Sequence, residues 1–504
     1  MKTLKLLTVL VLCLVTVTVF AGGLVTNTNQ SAQFTRTLNR NASTDIDAVY
    51  YNPAGLSRLN DGLHLHVGNQ TIWQTKTVNN NLPTMNRNEF VGDVFAPVFP
   101  NLYLAYKTGN VAVFAGFAPI GGGGGAMYED GLPSFEMPVS GLKPQLGVQD
   151  YRLDTEFEGT SVYYAGQAGL TYKLNDMFSL AIGGRYVIAK NTYNGYLQDI
   201  EVTTDGTNWV KPGVYLTGVA NTLSATAASL QPIIDAGYSG FTLAQLQGAG
   251  ALTATQVAQL EGGLQQLGVD PTGLTAAQVQ GTYGTYAAAY SAQVPVLEAA
   301  TADVEVDAVQ DATGFSPIFS AFITPFKGLD IAIRYKMKTE LTLVNDTKVD
   351  GSGMFSDGAE THADMPAMLA VGVAYQVMPK LRTEANFNYY FNKDVNWDGK
   401  EDKIDNGIEF GFAVQYDLSE KFLVSAGYSY GDQKVTEEYQ TDLSYSLPSS
   451  SVAGGIGFKL TPNMVLNAGI MNVFYDEGQK VTGTYTEDYK KTTLGFGVGF
   501  DYSF

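Results

Sequence analysis

The chain has 504 residues and is rich in Gly (55), Tyr (30) and Phe (26), while only 16% of it is charged, well below the usual quarter. Its formal net charge of −19 argues against nucleic acid as a partner. Its one cysteine, Cys13, lies in the first apolar stretch, so everything beyond that stretch is without disulfides or thiolate metal ligands.

Met1-Lys2-Thr3-Leu4-Lys5 is basic, Leu6 to Phe20 is apolar, and Ala21-Gly22-Gly23 is small. That order is the order of a secretory signal peptide. It is expected to span residues 1–21, which would place Gly22, Gly23 and Leu24 at the mature N-terminus. The apolar run is short for a membrane anchor, and polar sequence follows it at once. Residues 22–60 are polar and show no alternation.

Residues 61–504 carry period-two alternation many times over. In the last segment Leu494, Phe496, Val498, Phe500, Tyr502 and Phe504 share one face, with Gly495, Gly497, Gly499, Asp501 and Ser503 on the other. Ile331, Ile333, Tyr335 and Met337 alternate with Ala332, Arg334, Lys336 and Lys338, and Ile408, Phe410, Phe412, Val414 and Tyr416 alternate with polar or small residues. Strands in a membrane barrel put alternate side chains into lipid and lumen. Tight connections such as Thr108-Gly109-Asn110, Lys327-Gly328 and Thr461-Pro462-Asn463 alternate with long polar ones, as periplasmic turns alternate with external loops. Counting between them gives fourteen strands, the third short, at 111–118. The predicted fold class is therefore all-β, a 14-stranded antiparallel transmembrane β-barrel in the outer membrane, with outer-membrane lipid around it. A monomer is expected.

Residues 197–310 interrupt this pattern as one long extracellular insertion. Within it Thr242-Leu243-Ala244-Gln245, Thr253-Ala254-Thr255-Gln256 and Thr275-Ala276-Ala277-Gln278 form a weak repeat. Each starts with a helix N-cap residue. Leu252, Val257, Leu260, Leu264 and Leu267 fall near one helical face. Two readings are open: these residues pack on one another, or they line a capture groove for a ligand.

Asp394, Asn396, Asp398, Lys400, Asp402 and Asp405 fall at the positions of a calcium loop, with Gly399 sixth. The twelfth position is Asp rather than Glu, and strands rather than helices flank the loop, so the alternative is a solvated acidic loop. Ca²⁺ is the one candidate cofactor. His64 and His66 share a strand face, but a metal site usually needs three or four ligands; lumen lining is the expected role. No motif sets a nucleophile beside a histidine, so no enzyme is expected.

At Asp45-Ile46-Asp47-Ala48-Val49-Tyr50-Tyr51-Asn52-Pro53-Ala54-Gly55-Leu56 the sequence resembles the FadL-type family of outer-membrane transporters, with Asn52, Pro53 and Ala54 in the place of that family's Asn-Pro-Ala motif. The resemblance extends over nearly all of the mature chain. It implies that residues 22–60 form an N-terminal hatch (a plug) inside the barrel. It also implies passive import of long-chain fatty acids or other hydrophobic compounds. Ligand would be captured among external loops, passed to a site near Gly22, Gly23 and Leu24, and released through a lateral opening at the third strand. Gly116 and Pro119, with the run Gly121 to Gly125, mark that opening here; the alternative for these residues is an ordinary flexible loop. A diffusion porin for small polar solutes and a surface adhesin or structural barrel are the competing functions. The aromatic end, Tyr502-Ser503-Phe504, resembles the signal read by the barrel assembly machinery.

Overall fold

A computed structural model of the chain describes residues 31–504, so the expected signal peptide and Gly22, Gly23 and Leu24 lie outside the described residues. The chain divides into two units, a barrel and an insertion.

The barrel sheet holds seventeen segments, β1 to β17 in chain order, running from β1 (Gly62–Asn80) to β17 (Tyr485–Ser503). Three wall strands are each broken in two: β7 (Leu329–Lys336) with β8 (Thr342–Asp350), β9 (Glu360–His362) with β10 (Met368–Met378), and β15 (Met464–Tyr475) with β16 (Gly478–Thr482). The wall thus has fourteen strands, and β1 closes it by pairing antiparallel with β17 from His64↔Ser503 to Asn80↔Glu487.

The alternation decides which way each side chain points. In β17 Leu494, Phe496 and Val498 are exposed while Gly495, Gly497 and Gly499 are buried. In β12 (Gly407–Asp417) Phe410, Phe412 and Tyr416 are exposed. Contiguous apolar exposure of this extent is unfavourable in water and favourable in hydrocarbon. Among the described residues no helix is long and apolar enough to cross a membrane. The tight turns carry the backbone they need: Gly109 and Gly328 have φ of 55° and 95°, a region that costs glycine little.

β3 runs from Val111 to Tyr128 rather than stopping at 118. Its glycine run was expected to interrupt the strand; instead glycine tolerates the irregular extended path, with register shifts against β4 (Asp150–Lys173) between Pro119, Gly121 and Gly124.

The insertion unit comprises residues 137–154 and 197–303. Its second stretch ends at 303 rather than at the expected 310, because β6 (Val304–Phe326) starts earlier than its alternation suggested; β5 (Phe178–Thr203) runs on into the unit. Its main helices are Pro212–Ser229, Ala254–Gln266 and Ala276–Ala300. The Thr-x-x-Gln repeats are capping boxes: Thr242, Thr253 and Thr275 each accept from the backbone N–H of Gln245, Gln256 and Gln278, whose side chains return the bond. Leu252, Val257, Leu260 and Leu264 are buried with Leu243, Leu246, Val279 and Tyr283, and Leu267 packs against them. They form this unit's own core, so the capture-groove reading of these five residues is corrected. Short helices holding their only apolar stripe in common must spend it on each other.

Replacing Thr253 with Ala removes one capping box and is expected to destabilise the helix Ala254–Gln266 by about 1 kcal/mol. Hydrogen exchange at the first turn of that helix should accelerate severalfold, with the barrel strands unchanged.

Candidate functional site

The site is built on the segment 31–58. Ser31 caps the helix Ala32–Thr37, accepting from Phe34 N–H; a second helix spans Ala48–Tyr51, and a 3₁₀ turn spans Pro53–Arg58. Arg40 ties the segment together. Its guanidinium donates to Asp47 through Nε (2.8 Å) and Nη2 (2.7 Å), to Asp45 at 2.6 Å and to the Ser43 hydroxyl at 2.8 Å. Ser31 and Ser43 also donate to Asp47, at 3.0 and 2.5 Å. Burial works against the Arg40 charge, but the Asp47 and Asp45 carboxylates hold it well above its ordinary range.

This segment bonds to the inner wall on many strands. Gln33 donates to Asp501 (2.7 Å), Arg36 to Asn467, Gln415 and Ser425 (3.0–3.2 Å), and Asn41 to Asn388 (2.8 Å). Glu384 accepts from Ala42 N–H (2.8 Å), and Thr171 donates to the Pro53 carbonyl (2.7 Å). Inner-face glycines let its backbone come close. A Cβ on Gly469 would lie 2.6 Å from Arg36 N, one on Gly372 2.6 Å from Ala42 N, and one on Gly427 would overlap the Thr37 carbonyl.

Asn52, Pro53 and Ala54 are fully or nearly fully buried. Ala54 N–H donates to Ser320 Oγ at 3.0 Å. Among the described residues the Asn52 carboxamide has no hydrogen-bond partner for its oxygen or its nitrogen; a buried group left so costs roughly 1–3 kcal/mol.

A cavity of about 710 Å³ lies inside the barrel, bordered by Phe34, Leu38 and Tyr51 of the segment. That size suits a drug-sized ligand. Its lining continues onto Val98, Pro100, Pro119 and Gly122. There the wall is incomplete. Among the described residues, the ladder between β2 (Glu89–Thr108) and β3 pairs Asp93↔Met127 and next Leu102↔Phe117, with nothing between. Pro97, Pro100 and Pro119 bring no N–H to this stretch. On the other edge of β2, where its register with β1 shifts between Gln70 and Ile72, Asn69 and Thr71 donate to the Pro97 carbonyl at 3.1 and 3.0 Å, and Asn69 accepts from Phe99 N–H at 2.9 Å.

Of the two residues that marked an opening, Pro119 borders this gap. Gly116 does not: it is paired on both sides, with Tyr103 and Gln167. Its lack of a side chain serves the segment 31–58, since a Cβ there would lie 2.9 Å from Val49 Cγ1.

The acidic side chains of the calcium-like spacing have other partners in this structure. Asp398 accepts from His362 N–H and pairs with His362 Nδ1 (2.9 and 2.8 Å), and Asp405 pairs with Lys393 (3.1 Å). Among the described residues no three His, Asp or Glu side chains gather closely enough for a metal ion. The 3₁₀ turns Asn392–Asp394 and Lys400–Lys403 break the loop path that alternate ligands would need.

His64 meets Ser503 and the Asn60 carbonyl, while His66 sits between Asp501 (2.5 Å) and Asn101 (2.7 Å) and stacks on Tyr103. The two histidines therefore do not converge on one point. Asp501, to which Gln33 and Asn467 also donate, is the residue that sequence reading missed; it reaches His66 only when β17 closes on β1.

No protein-family model matches the chain, and no curated protein matches it. Solved structures do. A Pseudomonas aeruginosa FadL homologue aligns over 96% of this chain and 100% of that one, at a TM-score of 0.58 and 12% identity. The Pseudomonas putida toluene transporter TodX aligns over 95% and 100%, at a TM-score of 0.55 and 12% identity. The chain has the fold of these FadL-type barrels.

Replacing Arg40 with Met leaves Asp47 buried without its cation, a loss of about 3–5 kcal/mol. The segment 31–58 should loosen while the wall persists. Conductance of the purified protein in planar bilayers should rise, and an unchanged conductance would show that this ion cluster does not hold the segment.

Proposed function

We propose that the protein is an outer-membrane passive importer of hydrophobic compounds, with long-chain fatty acids as its substrate class. The observation that carries this reading is the cavity, which borders the segment 31–58 on one side and the unpaired β2–β3 wall on the other. A ligand held there has an apolar route sideways into the bilayer, past exposed Phe95 and Val98, without crossing a polar lumen.

The segment 31–58 acts as the hatch. Its attachments to the wall mix neutral hydrogen bonds, each worth on the order of 1 kcal/mol net, with stronger charged ones from Arg36 and to Asp501 and Glu384, and the unsatisfied Asn52 lowers the cost of leaving the resting position. The fold likeness to a FadL homologue and to a protein described as a toluene transporter supports the same class. No nucleotide-binding motif occurs in the sequence, so import runs down a gradient. The apolar stripe of the insertion, Leu252, Val257, Leu260, Leu264 and Leu267, is spent in that unit's own core, so ligand is not seated on it.

The test is uptake of labelled oleate by cells lacking their own fatty acid transporter and expressing this chain. Saturable uptake is expected. Ala96, which lines the cavity on the unpaired stretch of β2, is the position to fill: Ala96→Trp should cut uptake by more than about fivefold by occupying ligand volume, with surface abundance unchanged. Absence of oleate uptake by the folded wild type would overturn the fatty acid assignment.

A further inference from the structure

Three external connections border the outer end of the lumen, opposite the tight turns. They contribute Phe135 from the first turn of the helix Pro133–Ser140, Phe355 from the connection between β8 and β9, and Leu443 from the connection between β13 (Phe422–Asp432) and β14 (Ser449–Thr461). All three are packed inward: Phe135 meets Phe157 edge-on at 5.5 Å, Phe355 stacks on Tyr193 at 4.8 Å, and Leu443 packs against the same buried cluster. One side chain joins two of these connections. The Asp442 carboxyl accepts from Ser134 N–H at 2.8 Å and from Leu443 N–H at 2.9 Å, so it caps the first turn of the helix from another loop.

Asp442 is 6% exposed, and what surrounds it does not balance a charge. The groups within reach of it are Tyr128 of β3 and Tyr485, Glu487 and Tyr489 of β17, and Glu487 is itself buried. Glu487 accepts from Tyr489 Oη at 2.6 Å and from Asn80 at 3.1 Å. Lys480 of β16 lies beside Glu487 but donates to the Gln440 carbonyl at 2.7 Å. On the helix, Glu136 accepts from Asn86 N–H and Arg87 N–H. Among the described residues Asp442 makes no ion pair. Burial outweighs its N–H donors and holds its carboxyl above the ordinary range. We propose that Asp442 makes the outer mouth a proton-operated lid: with its carboxyl neutral the connection 433–448 stays packed on the helix, and with its carboxyl charged that connection lifts. The lifting itself is independent of the import reading; that it admits ligand rests on that reading. The sign follows from linkage. Lifting returns Asp442 to water and to an ordinary value of about 3.9. Packing is thus fully favoured below that pH and loses stability as pH rises through the higher value of the packed state.

The experiment is a spin-label distance measurement on the purified protein in a non-ionic detergent. Labels at Glu129→Cys and Glu437→Cys, both exposed positions, span the contact between the two connections; the one native cysteine, Cys13, lies in the expected signal peptide. Between about pH 5 and about pH 8 a longer-distance population should grow at least about threefold. In Asp442→Asn, which still accepts from Ser134 N–H and never ionises, the short distance should persist at both values. In Asp442→Ala, which loses that bond, the longer population should be present at both. A distribution that does not change with pH in the parent protein overturns the lid, as does an Asp442→Asn variant that follows pH as the parent does. Uptake of labelled oleate at neutral pH by cells expressing Asp442→Asn should fall about threefold or more, by linkage of opening to the charged carboxyl, with surface abundance unchanged. A variant that stays packed yet imports as the parent does overturns the lid as the entry for ligand. If neither protein imports oleate while the distances still switch with pH, the import reading falls and the proton-operated lid stands.

Discussion

A wall of fourteen strands encloses a lumen too wide for its own side chains to fill, and a short polar segment can fill it only by bringing its backbone against the wall. That approach is the constraint on which the interior depends. It is met by glycines on successive strands, among them Gly372, Gly427, Gly469 and Gly497, each facing backbone or side-chain atoms of residues 35–42 at distances where no Cβ would fit. The same residues leave the outer faces of those strands apolar, because alternation assigns lumen and lipid to adjacent positions. One pattern therefore builds the membrane surface and the bed for the segment 31–58.

How that segment is held follows from its composition. It is knotted internally by one strong cluster, Arg40 with Asp45 and Asp47, and joined to the wall by many weaker bonds from Gln33, Arg36, Asn39 and Asn41. Its second half adds apolar packing: Ile46, Val49, Tyr50, Tyr51 and Leu56 share one buried cluster with Tyr103, Phe114 and Tyr163 of the wall. The segment is thus held by polar bonds along Gln33 to Ala42 and by burial of apolar surface beyond.

Much of the barrel was legible because its signal is periodic and repeated. Leu494 to Phe504 announced the facing of β17, and the Thr-x-x-Gln repeats announced helix starts that the capping boxes bear out. What stayed hidden depends on closure or on local path. His66 meets Asp501 across 435 residues, and Lys76 meets Lys491 on the same seam; no spacing along the chain brings them together. In the calcium-like run the spacing did not reveal the partners: Asp398 meets His362 and Asp405 meets Lys393, and spacing fixes a ligand set only if the backbone winds around one point. The glycine run after Pro119 read as a loop because propensity favours one, whereas pairing with β4 keeps it extended.

The interrupted β2–β3 ladder has a physical cost. An opening in a strand ladder leaves backbone groups without partners, and in hydrocarbon each costs several kcal/mol. Pro97, Pro100 and Pro119 lower that cost, because each brings no N–H to be left unpaired. A wall built for stability alone would close the ladder with non-proline residues.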